Sequence, residues 1–174
     1  MTYRLHKGFT LIELLVVMSI IFLLASVTLV LADQARLNAR NAQRSSIVQS
    51  YKVALELAYD ANGMFPRTTG LGYAGDQVCL GVYPTGTCWY GGFTPQTAVQ
   101  AAVSPYVPSP SPMPELGVTP RNGLVYYSPT NDDYCLAWIL EGTNKDCAPG
   151  QAISGNSGGD TYCQFERVPA DHSC

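Results

Sequence analysis

Charge is scarce in this chain. Asp, Glu, Lys and Arg make up 13% of 174 residues, about half the usual globular share, against 47% apolar residues. Such poverty excludes intrinsic disorder, which needs low hydrophobicity and high charge. A formal net charge of −3 excludes a basic nucleic-acid binder, so no direct nucleic-acid partner is expected. There is no Gly-x-Ser-x-Gly, no His-Glu-x-x-His and no P-loop. Only His6 and His172 are present, and His172 next to Cys174 sits in a tail that is a poor place to fix a nucleophile. The chain is therefore read as no enzyme, with no cofactor. Cys-x-x-Cys is missing too, which leaves metal binding weakly supported. Finally, neither Pro nor Gly occurs between residues 9 and 62, so nothing there interrupts a helix.

What is present is segregated. Residues 14–32 carry no charge at all. At helical rise this run spans roughly 28 Å, close to the ~30 Å hydrocarbon core of a bilayer. A secretory signal core is usually only about 7–15 residues, so the length favours a membrane-spanning helix. Arg4, Lys7 and the α-amino group make the start positive. One residue breaks the apolar pattern: Glu13, among Leu11, Ile12, Leu14 and Leu15. A carboxylate deep in hydrocarbon costs on the order of 2.5–3.5 kcal/mol, so it has a partner and a job or lies near the interface where it reaches water.

The run Lys7-Gly8-Phe9-Thr10-Leu11-Ile12-Glu13 resembles the processing signature of type IV prepilins and pseudopilins. The resemblance implies that a prepilin peptidase cuts between Gly8 and Phe9 and that Phe9 is then N-methylated. It also implies that Glu13 meets the Phe9 amine of a neighbouring subunit during assembly, neutralising both and setting the axial register. The physics is consistent: a fresh amine at the end of an apolar helix is costly in hydrocarbon unless paired. Pairing within one chain stays open, because residues four apart share a helix face. A rival route is signal-peptidase cleavage after Val30-Leu31-Ala32, releasing a soluble domain from Asp33; Glu13 and the overlong apolar stretch argue against it. The positive-inside rule does not set topology, since Arg36, Arg40 and Arg44 follow the span closely. The cysteines and the resemblance place the C-terminal part outside.

The domains expected are a leader (1–8), a transmembrane and assembly half-helix (9–32), an amphipathic half-helix (33–62) and an α+β head (63–174). On a wheel of about 100° per residue, Ile47, Tyr51, Ala54, Leu55 and Ala58 form one stripe, with Lys52, Glu56 and Asp60 on the other side. Asn62-Gly63 is a natural stop, with Pro66 beyond it. Asp33, Arg36, Arg40 and Arg44 share a face, read as a solvated juxtamembrane surface with snorkelling arginines in preference to a collar contacting neighbours.

Beyond Gly63 we expect irregular connection with one short hairpin (77–83 and 87–90), a short helix opened by Thr94-Pro95 and running to about Ser104, and a Pro-rich strap over 105–114. Strands are expected over 123–128 and 134–141, joined by a turn at 129–132, and over 161–168. The whole reads as a long helix packed on a small antiparallel sheet, stapled by disulfides. Cys79, Cys88, Cys135, Cys147, Cys163 and Cys174 allow fifteen pairings. Sequence neighbours (79–88, 135–147, 163–174) are favoured, with 135–163 across adjacent strands as competitor. Asn131, Asp132, Asp133 and Asp160 are read as turn chemistry in preference to a calcium site.

The resemblance implies a structural filament subunit, with other copies of itself, the prepilin peptidase, an inner-membrane assembly platform and the membrane itself as partners. Its alternatives are a pseudopilin of a type II secretion-like system and a minor pilin acting in adhesion or DNA uptake. The expected location is the inner membrane, then an extracellular pilus or periplasmic pseudopilus. Loss of Arg4 and Lys7 with the leader takes the net charge from −3 to −5.

Overall fold

The protein is described by a computed structural model covering residues 8–68, 76–82, 88, 97–107, 113–114, 123–153 and 159–168, with backbone alone at 29, 30 and 97. The chain divides into two compact units, Met1–Ala39 and Arg40–Cys174. A single helix, α1 (Leu11–Asn62), contributes to both.

In the first unit α1 contains a stretch long and apolar enough to cross a membrane. Every residue from Gly8 to Thr28 is exposed. The few hydroxyls here bond backward along the helix: Ser19 to the Val16 carbonyl (2.7 Å), Ser26 to Leu23 (2.8 Å) and Thr28 to Ala25 (2.9 Å). Each polar group is satisfied without leaving the segment, which a span surrounded by hydrocarbon requires.

The second unit is an α+β head. Its sheet has five antiparallel strands, β1 (Val78–Leu80), β2 (Leu124–Tyr127), β3 (Cys135–Leu140), β4 (Gln151–Ala152) and β5 (Thr161–Glu166), in the order β1-β2-β3-β5-β4. β2, β3 and β5 lie where β-branched and aromatic residues predict them. β3 is buried at all six positions and sits in the middle of the sheet. Leu136, Trp138 and Leu140 pack with Ile47, Tyr51 and Leu55 of α1 in one core; Ala137 and Ile139 belong to separate clusters on the other face. The predicted stripe of α1 is buried throughout. A short helix, α2 (Thr97–Val103), adds Val99 and Val103 to the same core.

The helix ends where expected. Gly63 takes φ +71°, and its N–H donates to the Tyr59 carbonyl at 2.7 Å, the left-handed stop that glycine permits. The segment after it then returns to the sheet, with Phe65 N–H on the Asn131 carbonyl and Thr68 N–H on that of Ser128.

β1 pairs with β2, through Cys79 opposite Val125; of the hairpin strand expected at 87–90 only Cys88 is described, and the rest lies outside the described residues. The strap over 105–114 begins as a 3-10 turn at Ser104–Tyr106, and its residues 108–112 lie outside the described residues, as do Thr94 and Pro95. Among the cysteines, Cys79–Cys88 forms as expected (Cα–Cα 6.2 Å), but Cys147 joins Cys163 (Cα–Cα 5.4 Å). Register explains the second pairing. Cys163 lies opposite Trp138, while Cys135 lies opposite Glu166, so Cys135 and Cys163 are three positions apart and on opposite faces. The loop after β3 folds back over β5 and brings Cys147 onto Cys163. Cys135 is disulfide-bonded as well; Cys174 lies outside the described residues. Gly123 is held to glycine by the first bridge, because a Cβ there would collide with Cys88.

Candidate assembly site

The residues singled out for processing and assembly stand at the start of α1. Gly8 is exposed, and nothing approaches within 4 Å of the place a side chain would occupy. Phe9 is 86% exposed. Gly8 and Phe9 are thus both open among the described residues. Leu14 N–H donates to the Thr10 carbonyl at 3.3 Å, the first bond of the helix.

Glu13 does not hang free. Its Oε2 accepts from the Thr10 N–H at 2.8 Å and from the Thr10 hydroxyl at 2.7 Å, while Glu13 N–H donates back to Thr10 Oγ1 at 3.4 Å. Thr10 and Glu13 therefore form a capping box, in which an N-cap hydroxyl and a glutamate three residues on satisfy each other's helix-end donors. Phe9, Ile12, Glu13, Val16 and Val17 line a shallow groove of about 330 Å³. Its lining is apolar, and Glu13 contributes to it while its carboxylate is bonded to Thr10. Such a groove suits an apolar group, and the carboxylate beside it suits a cation. Thr10 was not singled out from the sequence, although Thr-x-x-Glu before an apolar run is the sequence signature of this cap.

The charged face behaves differently from its expected reading. Asp33 and Arg36 are exposed and 3.5 Å apart. Arg40 is half-buried and Arg44 is buried, and both bond to the head. Arg40 places Nε and Nη2 on the two oxygens of Glu141, at 2.5 and 2.6 Å. Asn41 bonds the Glu141 backbone twice, accepting its N–H and donating to its carbonyl, both at 2.9 Å. Arg44, 0% exposed, donates to the carbonyls of Ile139 (2.7 Å) and Pro114 (2.5 Å). Burial pushes its guanidinium down to about 10, while the Glu141 and Asp160 carboxylates oppose that shift. The wheel carried the signal: Arg40 and Arg44 fall within the arc of Ile47, Tyr51 and Ala58, two turns earlier. They extend the buried stripe as polar anchors to the end of β3.

The acidic cluster is turn chemistry. Asp133 accepts from the N–H groups of Tyr134 (2.8 Å) and Val168 (3.2 Å), and Asp160 from Gly142 N–H (3.3 Å). At the far end of α1, Tyr59 stacks on Phe65 and Phe65 meets Tyr134 at a tilt of 58°, Arg167 lies about 5 Å over Tyr59 and Phe65, and Lys52 lies 4.2 Å over Phe165.

A long helix with an exposed apolar start, capped by a lone carboxylate and followed by a disulfide-stapled sheet, defines a pilin-like architecture. Residues 3–29 match the family described as the prokaryotic N-terminal methylation motif, the class III signal peptide of type IV pilins. The motif supports placing the chain among type IV pilins and pseudopilins, a family of structural subunits. Neither a curated protein nor a solved structure matches the chain.

Proposed function

We propose that this chain is the structural subunit of a type IV pilus-like filament. The observation that carries the reading is the start of α1: a span within the matched motif, exposed from Gly8 to Thr28, whose one carboxylate is capped by Thr10 beside an apolar groove lined by Phe9. On this reading residues 1–8 are the leader, removed between Gly8 and Phe9, and the methylated Phe9 amine of one copy enters the groove of the next to meet Glu13. The apolar stretch up to Ala32 holds the precursor in the inner membrane and later lies in the filament core. The head makes the filament surface. A carboxylate and an amine that neutralise each other where water is absent explain how a charge can sit so close to an apolar span.

The test is Glu13→Gln, followed by counting subunit in sheared extracellular filaments and measuring the mass of the mature N-terminus. The expected result is normal loss of residues 1–8 and little filament. Normal filament yield from that variant would overturn the role of Glu13. Absence of wild-type subunit from sheared filaments, together with a secretion defect on deletion, would move the chain to the pseudopilins.

A further inference from the structure

The capping box assigns a role to a residue that the filament reading does not use. A lone subunit must keep the Glu13 carboxylate satisfied before any neighbour arrives, because an unpartnered carboxylate near hydrocarbon is costly. Among the described residues two donors reach that carboxylate, both from Thr10, one from its backbone and one from its hydroxyl. The same hydroxyl accepts the Glu13 N–H. These bonds turn the side chain back toward the helix start, next to the apolar groove that Phe9, Ile12, Val16 and Val17 line with it. Without them a glutamate at an exposed helical position has rotamers that point it away from the helix start and toward headgroups or water.

We infer that Thr10 is the positioning residue for Glu13. Its hydroxyl holds the carboxylate aimed and hydrogen-bonded while the subunit waits in the membrane, and yields it to the incoming amine at assembly. The inference rests on the filament reading and deepens it. A charged partner outcompetes a neutral hydroxyl for the carboxylate, so the exchange is downhill once the amine is within reach. Aiming the carboxylate in advance saves the ordering of a flexible side chain at the moment of contact.

The experiment uses the full-length chain, tagged, in cells that also make untagged wild-type filaments. The readout is the fraction of processed tagged subunit incorporated, with processing scored by loss of residues 1–8 so that a cleavage defect is normalised out. Thr10→Val keeps the shape and the backbone N–H and removes the hydroxyl. It is expected to lower incorporation roughly fivefold, the scale of a lost side-chain cap. Thr10→Ser is expected to restore it. Thr10→Val in a Glu13→Gln background is expected to add nothing to the loss from Glu13→Gln alone, because a residue acting through Glu13 has nothing left to position. Wild-type incorporation of Thr10→Val, no rescue by Ser, or a further fivefold loss in the double variant would each overturn the inference. Normal incorporation of Glu13→Gln alone is a separate result, which overturns the filament role of Glu13 itself.

Discussion

The two parts of α1 handle their polar side chains in opposite ways. Before Ala39, Thr10, Ser19, Ser26 and Thr28 bond within three residues of themselves. From Arg40 onward, Arg40, Asn41 and Arg44 reach across 70 to 101 positions of sequence to Glu141, Ile139 and Pro114. Local satisfaction lets a segment exist among partners of any kind, including hydrocarbon. Long-range satisfaction commits a segment to one docking register. One uninterrupted helix therefore joins a part that can exchange partners to a part that cannot, and the change falls where the chain divides into its two units.

This contrast can be broken at several points, the largest first. Trp138, 0% exposed in the core against α1, should cost the head about 4 kcal/mol when replaced by Ala. Urea unfolding of the full chain in detergent, followed through the near-ultraviolet signal, would measure it. Arg44→Met should cost about 3 kcal/mol in the same assay, since two buried carbonyls lose their donor. A loss no greater than that of a surface substitution would dissolve the distinction drawn above. Replacing Cys147 and Cys163 together by Ser should cost about 2–4 kcal/mol, visible as a lower urea midpoint.

Alkali supplies a further test. Burial raises the phenols of Tyr51, Tyr126 and Tyr134, and the Glu56 carboxylate adds to the effect at Tyr134. The unfolded chain ionises these groups near pH 10 while the folded head keeps them protonated, so the folded state binds more protons and its stability falls as pH rises above about 10. Arg44 acts in the opposite sense. Its folded value of about 10 lies below the unfolded one, so the unfolded state holds more protons there and stability gains as pH passes 10. Three phenols against one guanidinium set the expected direction: the urea midpoint falls between pH 9 and 11, and tyrosine absorbance shows these rings ionising at higher pH in the folded head than in the unfolded chain. A midpoint that rises over that interval would contradict the assignment. The smallest effect belongs to the first unit: Ser26→Ala removes only a local bond and should change head stability by less than about 0.5 kcal/mol.

Much of this was legible in the sequence. The apolar run, the stripe from Ile47 to Ala58, the stop at Gly63 and the strands at 124–127, 135–140 and 161–166 follow from period, propensity and capping, all properties of neighbours along the chain. What escaped depends on neighbours in space. A wheel places Arg40 and Arg44 on a face but does not say what covers it, and Glu141 lies about a hundred residues away. The Cys147–Cys163 bridge needs the β3–β5 register, which no spacing of cysteines encodes. The pairing of β1 with β2 is likewise a matter of long-range contact. The Thr10–Glu13 cap was readable, but the carboxylate drew the eye to a partner in another chain and away from one three residues back.

The anchoring of α1 also has a mechanical side. Arg40, Asn41 and Arg44 grip residues 139–141, at the end of β3, where Ile139 and Leu140 pair with β5 and the β2 ladder has stopped at Ala137. A pull along the helix of a filament subunit would enter the head at its central strand, reaching the β5 ladder first and the β2 ladder behind it. Had the grip fallen on β1 or β4, the same pull would peel an edge strand one bond at a time.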